Sequence, residues 1–302
     1  MMPKCVTVFV VALSLQMAAA ADFQKNYDDA ANKRITIFTL HGDIKLSGYD
    51  GKTIDISAVK KGPDRERVEI QDAGFGNHIN IFPKYLEPAR NDATVDFEIR
   101  VPKEIFYGAE QAAKPKGSRV PGPPFQKFPG EMPAPPGTPP PPKPSMPPGR
   151  LAPPPPRGGQ SPHVIYLKSN SGQVTISDVA GHIRVEGRII EVQNVEGRLY
   201  AFSTSGDIKG VLKQASRSSE LRFSSSSGNI SVQAPENIGA QVHIQSSTGQ
   251  VKTDFSLETK DMRYGSGKFI QGKLGDGAHI IDIRSLSGAI NFSKKPAEIK
   301  DK

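Results

Sequence analysis

The chain has 302 residues, of which 36% are hydrophobic and none is tryptophan, and its formal net charge at pH 7 is +8. Its 29 glycines and 27 prolines punctuate turns and interrupt helices, which excludes a helical bundle and points to an all-β chain with many corners. The single cysteine, Cys5, lies near the N-terminus, so neither a disulfide framework nor a cysteine-built zinc site can be assembled from the remainder.

Residues 1–21 read as a secretory signal peptide. Lys4 supplies the positive charge, Val6 to Leu15 the apolar run, and Ala18 to Ala21 the small-residue cleavage site before Asp22. The run is about 10 residues, half the roughly 20 that a membrane-spanning helix needs. The expected destination is therefore the periplasm, the cell surface or the extracellular space.

Residues 22–109 then alternate apolar and polar side chains, the period of a half-buried strand; Arg65 to Ile70, Ile79 to Phe82 and Thr94 to Val101 are the clearest examples. Residues 110–162 break the pattern. Twenty of the 27 prolines fall between Pro115 and Pro162, which predicts a disordered, extended polyproline II insertion rather than a packed core. Within it Lys114, Lys116, Arg119, Lys127, Lys143, Arg150 and Arg157 face only Glu110 and Glu131. Clustered cations of this kind attract polyanions in a salt-dependent way, so these seven are the candidate contacts for an anionic envelope polymer or, peripherally, a membrane surface. A nucleic-acid partner is not expected, since Phe125 and Phe128 are too few to form a stacking platform.

From 163 to 293 the strand pattern returns as a repeat, followed by a short tail at 294–302. Aligned on Gly172, Gly206, Gly228, Gly249 and Gly288, a serine stands three residues earlier: Ser169, Ser203, Ser225, Ser246 or Ser285. An apolar residue stands seven earlier (Ile165, Leu199, Leu221, Val242, Ile281) and another two later (Val174, Ile208, Ile230, Val251, Ile290). A sixth copy around Gly42 opens the mature chain. The unit is strand, Ser-x-Ser-Gly corner, strand, with the glycine expected at positive φ and the serine expected to satisfy corner backbone groups. Gly206, Gly228 and Gly249 lie 22 and 21 residues apart, which suggests stacked coils of about 20 residues and one sheet wrapped into a solenoid. An antiparallel β meander satisfies the same alternation and remains the alternative.

The serines recur at structural spacing without a partnered base, so no catalytic residue is assigned. The six histidines show no metal-ligand spacing, and His41, His182 and His243 fall where solvated faces are expected. No cofactor or metal is expected. The corner Ser203 to Ile208, the Val101-Pro102-Lys103 step and the run from Gly265 through Gly277 to Gly288 resemble the bacterial β-strand-repeat envelope family of unknown function, of adhesin type. The resemblance spans about residues 33 to 293 apart from the insertion, and it implies an envelope-associated solenoid with no catalytic residues to transfer. The resulting expectation is a single-domain β-solenoid, exported and non-catalytic, that binds an envelope polysaccharide, peptidoglycan or a surface protein. A carbohydrate-active β-helix enzyme and a self-assembling scaffold are the alternatives.

Overall fold

The computed structural model describes residues 21–30, 33–86, 92–105, 165–214, 218–261 and 267–296. Residues 1–20, which fall in the segment expected to be a signal peptide, and the seven basic residues of the insertion lie outside them. In the first half the strands are β1 (Phe23–Tyr27), β2 (Arg34–Thr39), β3 (Ile44–Tyr49), β4 (Ile54–Lys61), β5 (Val68–Asp72), β6 (His78–Tyr85), β7 (Thr94–Pro102) and β8 (Glu104–Ile105). The second half continues with β9 (Ile165–Ser169), β10 (Gln173–Ser177), β11 (Ala180–Glu186), β12 (Ile189–Gln193), β13 (Glu196–Ser203), β14 (Ile208–Val211) and β15 (Glu220–Ser225). It ends with β16 (Ile230–Ala234), β17 (Ala240–Ser246), β18 (Val251–Thr253), β19 (Glu258–Asp261), β20 (Lys268–Leu274), β21 (His279–Ser285) and β22 (Ile290–Lys294). Arg65–Arg67, expected to begin a strand, instead form a short 3-10 turn ahead of β5.

The architecture is an all-β solenoid. Its coils lay one strand in each of two sheets, rather than wrapping a single sheet as expected. Sheet A runs β1-β4-β7-β3-β10-β12-β14-β16-β22-β18, and sheet B runs β19-β20-β17-β21-β15-β13-β11-β9-β2-β6-β5 with β8 beside β11. Stacked coils pair in parallel, as in β9-β11-β13-β15, which rules out the meander. Antiparallel pairing is confined to the two ends: β1, β4 and β5 at one, β20 and β19 at the other. These additions occupy sheet edges that would otherwise present unpaired backbone groups.

Period-2 alternation puts every second side chain between the sheets. Ile35, Ile165, Ile183, Leu199, Leu221, Ile281 and Val242 form one register row, all at most 4% exposed. Burying a side chain of this size contributes roughly 1.5–3 kcal/mol, so repetition along the stack supplies most of the driving force. Volume is matched across the layers. Gly210 leaves a space in sheet A, and a Cβ there would lie 3.3 Å from the ring of Phe223 in sheet B. At the far end Phe292 stacks on Phe255 with ring centroids 4.7 Å apart.

The Ser-x-Ser-Gly corners stack on one another. The Gly228 N–H donates to Ser225 Oγ at 2.8 Å, and the same bond recurs from Gly172 to Ser169, Gly206 to Ser203, Gly249 to Ser246 and Gly288 to Ser285. Two of these hydroxyls in turn donate to the neighbouring coil, Ser169 to the Gly42 carbonyl at 2.8 Å and Ser203 to that of Arg188 at 2.9 Å. The expectation of positive φ holds only for Gly42, at +124°. At the other five corners the constraint is proximity. A Cβ on Gly228 would sit 1.8 Å from the Gly206 oxygen, one on Gly288 1.9 Å from that of Gly228, and one on Gly249 2.0 Å from that of Gly288.

Those contacts also give the order of the stack, which departs from the chain order. The last coil, β21–β22, lies between β15–β16 and β17–β18. At the opposite end β6–β7 packs outside β2–β3, next to the antiparallel strands, by the same device.

Candidate functional site

The two outer faces differ in chemistry. Sheet A turns Lys45, Thr175, Glu191, Lys209, Ser231 and Asn291 to solvent along one row, a polar surface of mixed charge without aromatic rings. On sheet B the matching row reads Thr36, Tyr166, Arg184, Tyr200, Arg222 and Asp282. Tyrosine and arginine alternate across four adjacent strands there, and neighbours interact. The Arg184 guanidinium lies 5.9 Å from the Tyr166 ring centroid, and that of Arg222 lies 5.1 Å from Tyr200 and donates to its hydroxyl at 2.7 Å. Such cation–π contacts hold the guanidinium planes and rings in fixed relative positions.

Two residues further along the strands, Phe38, Lys168, Glu186, Phe202 and Ser224 form a second outer row. Where β11 ends, Gly187 carries no side chain, and a groove of about 220 Å³ opens there between Lys168 and Asn170 on one side and Phe202 and Ser205 on the other. Arg188 also lines it, so two cations and the Glu186 carboxylate meet in this groove. Glu186 is already engaged: Arg184 donates to it through Nε at 3.0 Å and Nη2 at 2.7 Å, and Lys168 Nζ stands 3.5 Å away. Burial by itself would raise the Glu186 pKa, but the hydrogen bonds from Arg184 and Tyr166 and the charges of Arg184 and Lys168 outweigh it and hold the carboxyl below its ordinary value. Burial first, and then the Glu186 charge, push the Tyr166 hydroxyl up to about 12.

A carboxyl with a depressed folded pKa stabilises the fold above its unfolded value, about 4.3, and that contribution is lost as the pH falls through the folded value. Glu186→Gln should therefore melt below the parent protein at neutral pH. The gap should close as the pH falls below about 4. Melting curves of both proteins across that range check this, and a gap independent of pH would contradict it.

The corner residues anticipated from the repeat do not join this face. Ser169, Ser203, Ser225, Ser246 and Ser285 are at most 4% exposed, with their hydroxyls in the corner bonds described above. His182, expected on a solvated face, is only 6% exposed. Tyr166, Tyr200 and Arg222 escaped notice although they share a signal, each standing six residues before a corner glycine. Arg184 comes from a coil without a serine corner, and only the strand register brings it into line.

The position of the insertion is also fixed by register. Ile105 of β8 pairs with Gly181 of β11, and Ile165 of β9 pairs with Ile183 of the same strand. The two are therefore parts of one strand row, separated by a single register position, and residues 106–164 are inserted between them.

The repeat coils that begin beyond the insertion, with their glycine corners, match a known family. Residues 163–293 match the model of the toastrack family, DUF4097. The matched region contains the Tyr–Arg row and the groove, whereas β1 to β8 extend the same stack ahead of it. A search of the curated proteins finds no match. Among solved structures, a "putative cell adhesion protein" from Clostridium sporogenes is similar at 11% identity and a TM-score of 0.45, over 90% of this chain and 98% of that one.

Proposed function

We propose that the protein is a non-catalytic, exported component of a bacterial envelope, an adhesin or binding scaffold that holds anionic polymers against the outer face of sheet B. One observation carries this reading. The strand row that bears Tyr166 and Lys168 is the row into which the basic segment is inserted, so the segment leaves and re-enters the fold at Ile105 and Ile165, in the sheet whose outer face carries the groove cations Lys168 and Arg188. The toastrack match supports an envelope repeat module, and the corner serines, buried and hydrogen-bonded within the stack, support a role without chemistry. Aromatic rings beside cationic groups suit a carboxylated polysaccharide, in which apolar ring faces alternate with charge.

Calorimetric titration with a carboxylated polysaccharide such as polygalacturonate tests the proposal. Binding should weaken as salt is raised, because much of the attraction is screened beyond about 8–10 Å at moderate ionic strength. Lys168→Glu with Arg188→Glu should weaken it about tenfold or more, since each reversal places repulsion where attraction stood, and like-charge juxtaposition costs several kcal/mol. Exchanging the seven insertion cations for glutamine should lower affinity further and flatten the salt dependence. Binding unaffected by either set, or by salt, would refute the reading.

A further inference from the structure

The Tyr–Arg row has a spacing that a different ligand also matches, and the chain itself carries that ligand. Tyr166 and Tyr200 lie in the same register on β9 and β13 with one strand between them, so they repeat every two strands, roughly 9.6 Å. A polyproline II helix repeats every three residues at about 3.1 Å each, roughly 9.3 Å. Within the insertion, Pro133, Pro136, Pro139 and Pro142 stand at every third residue, as do Pro141, Pro144 and Pro147. We propose that the stretch from Pro133 to Pro148 docks as a polyproline II helix across the outer face of sheet B, with successive third-residue prolines seated on Tyr166 and Tyr200.

Four further observations converge on this occupant. Aromatic side chains are the usual seat for polyproline II, whose pyrrolidine rings pack flat on them and which gives up little entropy on docking because its conformation is pre-set. That helix makes no internal hydrogen bonds, so its carbonyls need donors. Arg184 and Arg222 stand beside the two rings, and a guanidinium carries five N–H donors, more than the two bonds from Arg184 to Glu186 consume. Charge does not oppose the contact: between Pro133 and Pro148 the only charged residue is Lys143, so the other six insertion cations stay off the row. Finally, the segment begins and ends in the row that holds Tyr166. The residues between Pro148 and Ile165, at about 3.1 Å each when extended, reach well beyond the two strand spacings needed. Sheet A, from which the segment does not emerge, has Thr175, Glu191 and Lys209 at the equivalent positions and no aromatic row.

This inference does not depend on a polymer ligand, and its test uses none. Tyrosine nitration by tetranitromethane, read peptide by peptide by mass spectrometry, is followed in the full mature chain and in a Pro133→Ser, Pro136→Ser, Pro139→Ser, Pro142→Ser variant. These substitutions lie outside the solenoid, so the two proteins should melt alike. Tyr166 and Tyr200 should react several-fold more slowly in the parent than in the variant, at rates independent of protein concentration. Tyr49, at the end of β3 in the other sheet, should react equally in both. Equal rates at Tyr166 and Tyr200 in the two proteins would overturn the proposal. So would protection that grows with protein concentration, which would make a second copy the occupant, or protection that survives in the variant.

Discussion

Excising residues 106–163, so that Ile105 is followed by Val164 and Ile165, should leave the melting temperature nearly unchanged, whereas excising 106–164 should lower it by roughly 3–12 °C. The difference of one residue matters because Ile105 and Ile165 are both buried and stand two register positions apart on the same neighbour, opposite Gly181 and Ile183 of β11. In the shorter deletion Val164 would supply the one residue needed between them, opposite His182, so that both isoleucines keep pointing inward. Without it the two isoleucines become adjacent in a strand, where successive side chains point to opposite faces. Either Ile105 turns outward, or Ile165 and Leu167 do and Tyr166 and Lys168 turn into the core. Each exposed aliphatic costs roughly 1.5–3 kcal/mol, and for a chain of this size each kcal/mol is worth about 2–4 °C. Loop-closure entropy changes slowly with length, so removing the long excursion is itself nearly neutral. Scanning calorimetry of the two deletions decides the matter, and if both melt alike, β8 and β9 do not share a strand.

The second large effect is expected at the corners. Gly228→Ala should cost about 3 kcal/mol or more, at the upper end of the range for overpacking, because the added Cβ would meet the Gly206 carbonyl oxygen at 1.8 Å and both partners are backbone. Gly76→Ala is the informative comparison. Gly76 has φ of +60° but nothing within 4 Å of a Cβ, so its substitution carries only the left-handed backbone strain of about 1–2 kcal/mol. If the corner glycines were selected for φ, the two substitutions would cost the same. Stacking contact predicts that Gly228→Ala is clearly worse, and Gly228→Val worse still. Ser225→Ala should fall between, at about 1–3 kcal/mol, since it strips the buried Gly228 N–H of its acceptor. Urea unfolding of the four variants orders them, and a Gly76→Ala protein less stable than Gly228→Ala would contradict this account of the corner.

The match between corner and serine was legible from the repeat because both are local. The hydrogen bond from Gly228 to Ser225 spans three residues, and so does its signature. The core rows were legible for a similar reason, since alternation marks the inward set in each strand separately. Why glycine is required was not legible at five corners. The obstructing oxygen belongs to another coil, and nothing near Gly228 in the chain announces Gly206 as its neighbour.

By itself, then, the sequence determined what each coil is: two short strands, an inward aliphatic set, a serine-bonded corner, and a proline-rich basic interruption between Lys103 and Ile165. Only the tertiary structure decided how the coils are ordered. Every coil presents the same backbone edges and much the same aliphatic row, so local pattern does not distinguish one neighbour from another. The choice is made at the end of the stack, where β20 pairs antiparallel with one edge of β17 and leaves the other edge to β21. The coil of Gly288 thus settles between those of Gly228 and Gly249, although it follows both in the chain. The same holds for the face proposed to bind. Tyr166, Arg184, Tyr200 and Arg222 are separated by unequal intervals, because their coils differ in length, and they become one evenly spaced row only when parallel pairing brings Ile165, Ile183, Leu199 and Leu221 into register beneath them.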